Sequence, residues 1–460
     1  MKRFDRAFYR QFFAIVIPIA VQNLISSAVG IADTLMLGYV SQTALAASSL
    51  AGQIMFILNC IYFGLSAGMT MLVAQYWGKG DLPTIEKVLA IGEKLSLCAG
   101  AVFFAAAVFF PGALMRIYTN DPNMIDAGSQ YLRVVGFSYL FLALSQPYLA
   151  AMKSIEQVRT STIINSSALV LNIILNAVFI FGWIPGIPPL GIQGVALATV
   201  IARMVEFLLC IVAGERFKKL RLRPRLLLLH NRELTRDFIR YSLPAIGNDF
   251  IWGLAFSMYS VIMGHLGEDL VAAYSVISTI RNLATVFGFG VANGAAIILG
   301  KSIGANELEK AERDAVHLLK LTFIAALIGS CIVMLCPPVV SRVIELSELA
   351  RWYLNIMIWI SVAYVIGPPI NTFFICGVFR AGGDSKFGFL LDFSWLWFIF
   401  VPMGFLLAFV VHVPPIWVFV FLSLDEFTKM PIVYARYRKK KWLNNITRDL
   451  DSAPEPSTIQ

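Results

Sequence analysis

The stretch FFAIVIPIAVQNLISSAVGIADTLMLGYV, residues 12–40, decides how the rest of the chain is read. About 20 apolar residues suffice for a helix to cross a bilayer, and this run exceeds that length. It is too long for the apolar core of a cleavable signal, and no small-residue cleavage site ends it. The basic lead MKRFDRAFYRQ therefore introduces a first membrane helix. Inside that helix stands one carboxylate, Asp33. An acid at the centre of a bilayer costs about 2.5–3.5 kcal/mol on insertion scales, so a helix that keeps one needs a use for it.

Composition extends the membrane reading to the whole chain. Of 460 residues, 58% are hydrophobic and 14% charged, with a mean hydropathy of +0.74. Soluble domains carry about 25% charged residues, so this is the balance of an integral membrane protein. The six cysteines lie in or beside apolar runs with no C-x-x-C pair and read as packed thiols; the four histidines are scattered, so neither metal nor nucleophile chemistry is signalled.

Apolar runs separated by Gly, Pro or charge predict twelve membrane helices, near 11–40, 44–77, 88–110, 128–151, 159–182 and 191–214, then 237–266, 270–302, 314–337, 350–379, 387–411 and 415–437. These divide the chain into an N-terminal six-helix bundle (11–214), a basic linker (215–236), a C-terminal six-helix bundle (237–437) and a polar tail (443–460). Lys and Arg gather on one side of that topology, with only Arg116, Arg133, Arg342 and Arg351 opposite. Cytoplasmic loops retain Lys and Arg, so both termini are expected in the cytoplasm. The net charge of +9 is thereby explained by topology, and no nucleic-acid partner is needed.

The halves repeat. At an offset of 226 residues Pro18 falls on Pro244, Asn23 on Asp249, Gly64 on Gly290, Gly68 on Gly294, Gly78 on Gly304 and Glu86–Lys87 on Glu312–Arg313. Six helices per half is an even number, so the copies are related by an axis along the membrane normal, the arrangement in which two bundles rock about a central cavity.

The motifs ADTLMLGYVSQTALAA and YSVIMGHLGEDLVAAYSV, FGLSAGMTMLVAQYWGKGD and FGFGVANGAAIILGKSIGANE, FRAGGDSKFG and LNIILNAVFIFG together resemble the multidrug and toxic compound extrusion (MATE) family over residues 10–442. The resemblance implies an all-α, V-shaped fold of two six-helix bundles and an antiporter that exports amphipathic, often cationic organic compounds against inward H+ or Na+. In the family's DinF-like branch an aspartate fifteen residues after a helix-bending proline is the ion site, and Pro18 and Asp33 match that spacing. The branch also has Asn-x-x-x-Asp on the fifth helix; here Asn172 and Asn176 stand there, so the second carboxylate is absent. In the NorM-like branch a glutamate follows the seventh-helix proline, Pro244 here, by eight residues; that place is Trp252, with Asp249 as a loose substitute three residues earlier.

The expected ion-coupling residues are Asp33, Asn172, Asn176 and Asp249, and the expected substrate-cavity residues are Gln22, Asn23, Trp252, Met258 and Tyr259. Asp249 reads either as a C-terminal cation site or as a partner of Arg281. Arg203 and Glu206 read as an ion pair, Glu426 as the repeat counterpart of Arg203 and a candidate cross-lobe gate, and Asp392 as an acid wetted from the cytoplasmic side. No cofactor and no catalytic residue are expected. The partners are organic solutes and lipid, the chain is a monomer, and its place is the bacterial cytoplasmic membrane. The rival readings are a lipid-linked precursor flippase, which calls for a more cationic cavity, and a polytopic enzyme, which calls for a cluster of catalytic polar residues that the short loops lack.

Overall fold

The computed structural model describes residues 6–182, 189–217, 220, 231–338 and 346–448; the rest of the basic linker, residues 449–460 of the tail and Arg342 lie outside the described residues. Its long helices follow the apolar runs: α1 Arg6–Val40, α2 Gln42–Lys79, α3 Leu82–Phe109, α4 Pro122–Ser154, α5 Val158–Phe181 and α6 Gly191–Phe217 form the first half. The second half comprises α7 Arg232–Gly264, α8 Glu268–Gly304, α9 Leu308–Leu335, α10 Glu348–Phe379, α11 Ser385–Val410 and α12, which is broken into Pro415–Leu422 and Asp425–Arg438. Short polar residues start several of them. Ser41, Asp81, Asn231 and Ser347 each accept a hydrogen bond from a backbone N–H three residues on, at 2.9–3.1 Å. Gly80, at φ 83°, takes the left-handed conformation that turns α2 sharply into α3.

Ten of the twelve helices are long and apolar enough to span a membrane by that measure alone. The exceptions are α7, whose first turns carry Arg232, Glu233, Arg236, Asp237 and Arg240, and α12, interrupted at Ser423–Leu424. Both depend on neighbouring helices to cover their polar groups. Pro18 lies inside α1 and Pro244 inside α7, where each removes one bond from the helical ladder at the same point of the repeat.

The two bundles exchange the first turns of α1 and α7. Phe8 and Phe12 of α1 are buried in the core built by α8, α9 and α10, while their repeat counterparts Leu234 and Phe238 of α7 are buried among α2, α3 and α4 of the other bundle. On this face, which carries both ends of the chain, α2 also runs against α8. A Cβ on Gly78 would collide with the Lys301 carbonyl, and one on Gly304 with the Gln75 carbonyl. Backbones approach this closely only where side chains are absent.

A strap closes the same face. Trp442 is buried under the second bundle, and the chain then runs across to the first, where Gln75 donates to the Ala381 and Asn444 carbonyls and accepts from Ile446 N–H. Arg448 ends the crossing on Asp237 and Glu233, with its carbonyl held by Lys79 at 2.7 Å.

The outer halves separate. Ser49, Gln53 and Phe56 on α2 and their repeat counterparts Ser275, Thr279 and Asn282 on α8 are all exposed, at the i, i+4, i+7 spacing of one helical face. Ser26 and Gly30 of α1 and Ser257 and Ser260 of α7 are exposed beside them. The result is a V closed on the face of the chain ends and open on the other. Lipid-side positions such as Phe109, Ile163, Trp359, Phe398 and Val410 are exposed and apolar, as a bilayer solvent requires.

Candidate functional site: a polar seam in each bundle

In the first bundle, three helices each contribute polar residues at helical spacing to one seam. Asn165, Asn172 and Asn176 share a face of α5, and Thr199, Arg203 and Glu206 share a face of α6. Asn176 Nδ2 donates to Asp33 Oδ1 at 2.7 Å and lies 3.5 Å from Asn172 Oδ1; Asn172 Nδ2 in turn donates to Thr199 Oγ1 at 3.3 Å. Deeper in the seam, Gln22 donates to Asn165 Oδ1 at 2.9 Å and Asn165 to Glu206 at 3.3 Å. Glu206 also accepts from Ser145 at 2.7 Å and from Arg203 at 2.6 Å. The Arg203–Glu206 pair expected from the sequence is thus present.

Asp33 is half-buried at the outer end of this seam, where among the described residues its one hydrogen-bond partner is the neutral Asn176 amide. The Asn176 Oδ1 beside it is buried and lacks a donor, as is Gln22 Oε1. A carboxylate next to an unused amide oxygen is a donor set for a proton or for a hard cation with oxygen ligands. The structure therefore brings together Asp33, Asn172 and Asn176. Thr199, which joins them, was missed, although its place one turn before Arg203 on the same α6 face signalled it. Asn23 is half-buried, and its backbone carbonyl accepts from Ser27.

The second bundle is wired differently. Arg380 donates to Asp249 at 2.6 Å and to Asn248 at 3.0 Å; Asn248 donates to Asp392 at 2.7 Å. Lys429 joins Asp392 at 3.1 Å to Glu426 at 3.0 Å, and Asn371 donates to Glu426 at 2.7 Å. Asp425 accepts from Tyr259 Oη at 3.2 Å.

Three expectations change here. Asp249 pairs with Arg380, the guanidinium at the end of α10, and not with Arg281. Asp392 is buried and held by Asn248 and Lys429, so water is not what keeps it. Glu426 is satisfied by Lys429 and Asn371 and Arg203 by Glu206, each within its own bundle, so they form no cross-lobe gate in this conformation. Across the closed face the bridge that does form is Lys301–Glu156 at 2.8 Å, with Gln11 and Trp77 also donating to Glu156.

Of the expected cavity residues, Trp252 is half-buried and packs against Phe256 in a tilted contact, with ring centroids 4.3 Å apart and planes 43° apart; Phe256 meets Tyr259 at 5.5 Å. Tyr259 is buried and lines a small pocket, while Met258 is half-buried against the core of the second bundle.

Two matched six-helix bundles around a cleft, with ionisable seams held inside apolar helices, are the build of a multi-pass membrane transporter. The chain belongs to the MatE family, whose model matches residues 18–178 and again 244–406, beginning at the two prolines that the repeat superposes. It is similar to the uncharacterized transporter YisQ of Bacillus subtilis (strain 168), at 25% identity over 94% of both chains. It also resembles the probable multidrug resistance protein YoeA of the same organism, at 22% identity over 97% of both. Among solved structures, one described as the outward-facing conformation of a multidrug resistance MATE family transporter of the MOP superfamily superposes with a TM-score of 0.85 at 17% identity, covering 94% of this chain and 95% of that one. At that identity the likeness concerns the fold.

Proposed function

We propose that this chain is a secondary active antiporter that exports amphipathic, often cationic organic molecules in exchange for inward H+ or Na+, with Asp33 as the coupling group. The observation that carries the reading is the half-buried Asp33 carboxylate, bonded to neutral Asn176 beside an unpartnered amide oxygen, in the bundle of a two-lobed fold open on that side. With the outer halves apart, an ion reaches Asp33 and neutralises it. Neutralisation lowers the cost of burying the group, so the lobes can close over it and open on the face of the chain ends, where the ion leaves. Solute travels the other way in the intervening step.

The spacing of Pro18 and Asp33 favours the DinF-like branch, although relatives named NorM occur among the similar proteins. The bias of Lys and Arg to one side supports a reading with both termini in the cytoplasm of a bacterial cell, and the proposal takes the chain as a monomer in the cytoplasmic membrane that binds no nucleic acid and acts as a transporter rather than an enzyme. Small organic solutes and membrane lipids are its partners, and no cofactor takes part.

Purified chain in proteoliposomes, loaded with a fluorescent cationic dye and given a pH gradient or a sodium gradient separately, tests this. Wild type should move dye under one gradient, and Asp33→Asn should lose at least about tenfold of that flux, equivalent to roughly 1.4 kcal/mol of coupling. Equal flux from wild type and a folded Asp33→Asn would remove Asp33 from the mechanism.

A further inference from the structure

With Asp249 taken by Arg380, Arg281 of α8 is left without a carboxylate. Its Nε donates to Ser361 Oγ at 2.7 Å and its Nη2 to Ser423 Oγ at 3.1 Å. Its guanidinium carbon lies 4.0 Å from the Tyr364 ring centroid and 4.5 Å from that of Phe419. Among the described residues no carboxylate oxygen pairs with it, and Asp425, which is within coulombic range, is held by Tyr259 and by the Glu426 N–H. The aromatic contacts and hydroxyls position the cation but do not neutralise it. Asp425 acts on Arg281 only through space, so the guanidinium keeps N–H groups with no carboxylate in contact, and inside a membrane that leaves it able to take one from a ligand.

The surroundings indicate what that ligand is. Arg281 lines a pocket of about 20 Å³, room for a head group of a few atoms and not for a whole solute. Tyr259 and Phe256 line it too, and Phe256 continues into a tilted ring contact with Trp252 along α7. Asn282, next to Arg281 in the chain, is exposed on the open side. A guanidinium presents its remaining N–H groups in a plane that matches a carboxylate, and flat rings beside it suit an aromatic body. We propose that the Arg281 pocket is a subsite for the carboxylate of an amphipathic aromatic solute, zwitterions included, whose ring system lies along Trp252 and Phe256. This rests on the exporter reading and deepens it, since it adds an anionic group to the cargo that the second bundle accepts.

The test uses the full-length chain and three fluorescent probes on one aromatic scaffold: a carboxylate, its methyl ester and a quaternary ammonium. Binding to detergent-solubilised wild type should favour the carboxylate over the ester by roughly 10- to 100-fold, the range of a charge-assisted hydrogen bond. Arg281→Gln should abolish that ratio and Arg281→Lys restore part of it. Equal binding of acid and ester by wild type overturns the subsite, as does an unchanged ratio in Arg281→Gln. If Arg281→Gln does not fold, the wild-type ratio and Arg281→Lys decide. Ion-driven transport of the ammonium probe with no acid preference overturns the subsite and leaves the exporter reading standing. An acid preference that Arg281→Gln abolishes, without ion-driven transport of any probe, upholds the subsite and overturns the exporter reading.

Discussion

The two bundles share one pattern, and each pairs buried acids with an internal cation, Glu206 with Arg203 in the first and Asp392 and Glu426 with Lys429 in the second, but they differ at the acid nearest the cleft. In the first, Asp33 meets a single neutral amide at the edge of the open cleft. In the second, Asp249, Asp392 and Glu426 are neutralised from within by Arg380 and Lys429. The helices differ too: among the described residues the second bundle contains three π-helical turns, Phe373–Phe379, Leu396–Phe400 and Leu406–Val410, and the first contains none. An acid that already has a lysine has little to gain from an incoming ion, whereas one facing an amide and a lone oxygen does, and this is the ground on which the proposed coupling role falls to Asp33 of the first bundle.

The largest effect should come from taking away the internal cation. Lys429→Met leaves Asp392 and Glu426 buried without it, and removing one member of a buried pair costs about 3–5 kcal/mol, read as a lower thermal-unfolding midpoint in detergent. Asp33→Asn should cost about 1 kcal/mol or less in the same assay, because it trades one hydrogen bond to a neutral amide for another. Equal losses would erase the distinction between the bundles.

A second comparison, of the closed face with the open one, gives an intermediate effect. Gly304→Ala forces a methyl group into the Gln75 carbonyl across the lobe boundary. Overpacking of this kind costs about 1–3 kcal/mol, all of it charged to the closed arrangement. Spin labels on the ends of α2 and α8 should report a larger population with that face parted. Gly264→Ala, where an added Cβ meets nothing, should leave the distances as they are.

The smallest effect concerns the Lys301–Glu156 bridge, whose side chains are 38% and 26% exposed. Glu156→Gln should loosen the closed face by about 0.5–1 kcal/mol in the same distance measurement. Burial alone would push the Glu156 carboxyl up, but the Lys301 hydrogen bond and charge, with Trp77 and Gln11, outweigh it and hold the group below its ordinary 4.5. A depressed value means the bridge contributes in full above the ordinary value and is lost only as pH falls through the lowered one. Lobe distances should therefore not respond through this bridge between about pH 8 and pH 5, and loosening within that window would have to arise elsewhere.

Much of this was legible in the residues. Each long apolar run became a helix, and the constant spacing from Pro18 to Pro244 announced two copies because a duplicated bundle must keep its glycines where backbones meet. The first-bundle seam was legible in part, since Asn172 and Asn176 are one turn apart and therefore share a face with each other. Hydrophobicity, however, tells that Phe12 and Phe238 are buried but not in which bundle, so the exchange of α1 and α7 was hidden. The partner of Asp249 was hidden for a similar reason. Arg380 is 131 residues away, and only the packing of α7 against α11 brings the two together.

The strap from Trp442 to Arg448 has a consequence for how the duplication works as a machine. The end of the first bundle continues into the linker, whereas the end of the second is stitched back over both. A tandem copy would otherwise yield two hinges of equal stiffness. One appendage fastened to only one rim makes the swing unequal, stiffer toward one side of the membrane than the other, so the direction of easier travel is written into the stretch from Trp442 to Arg448.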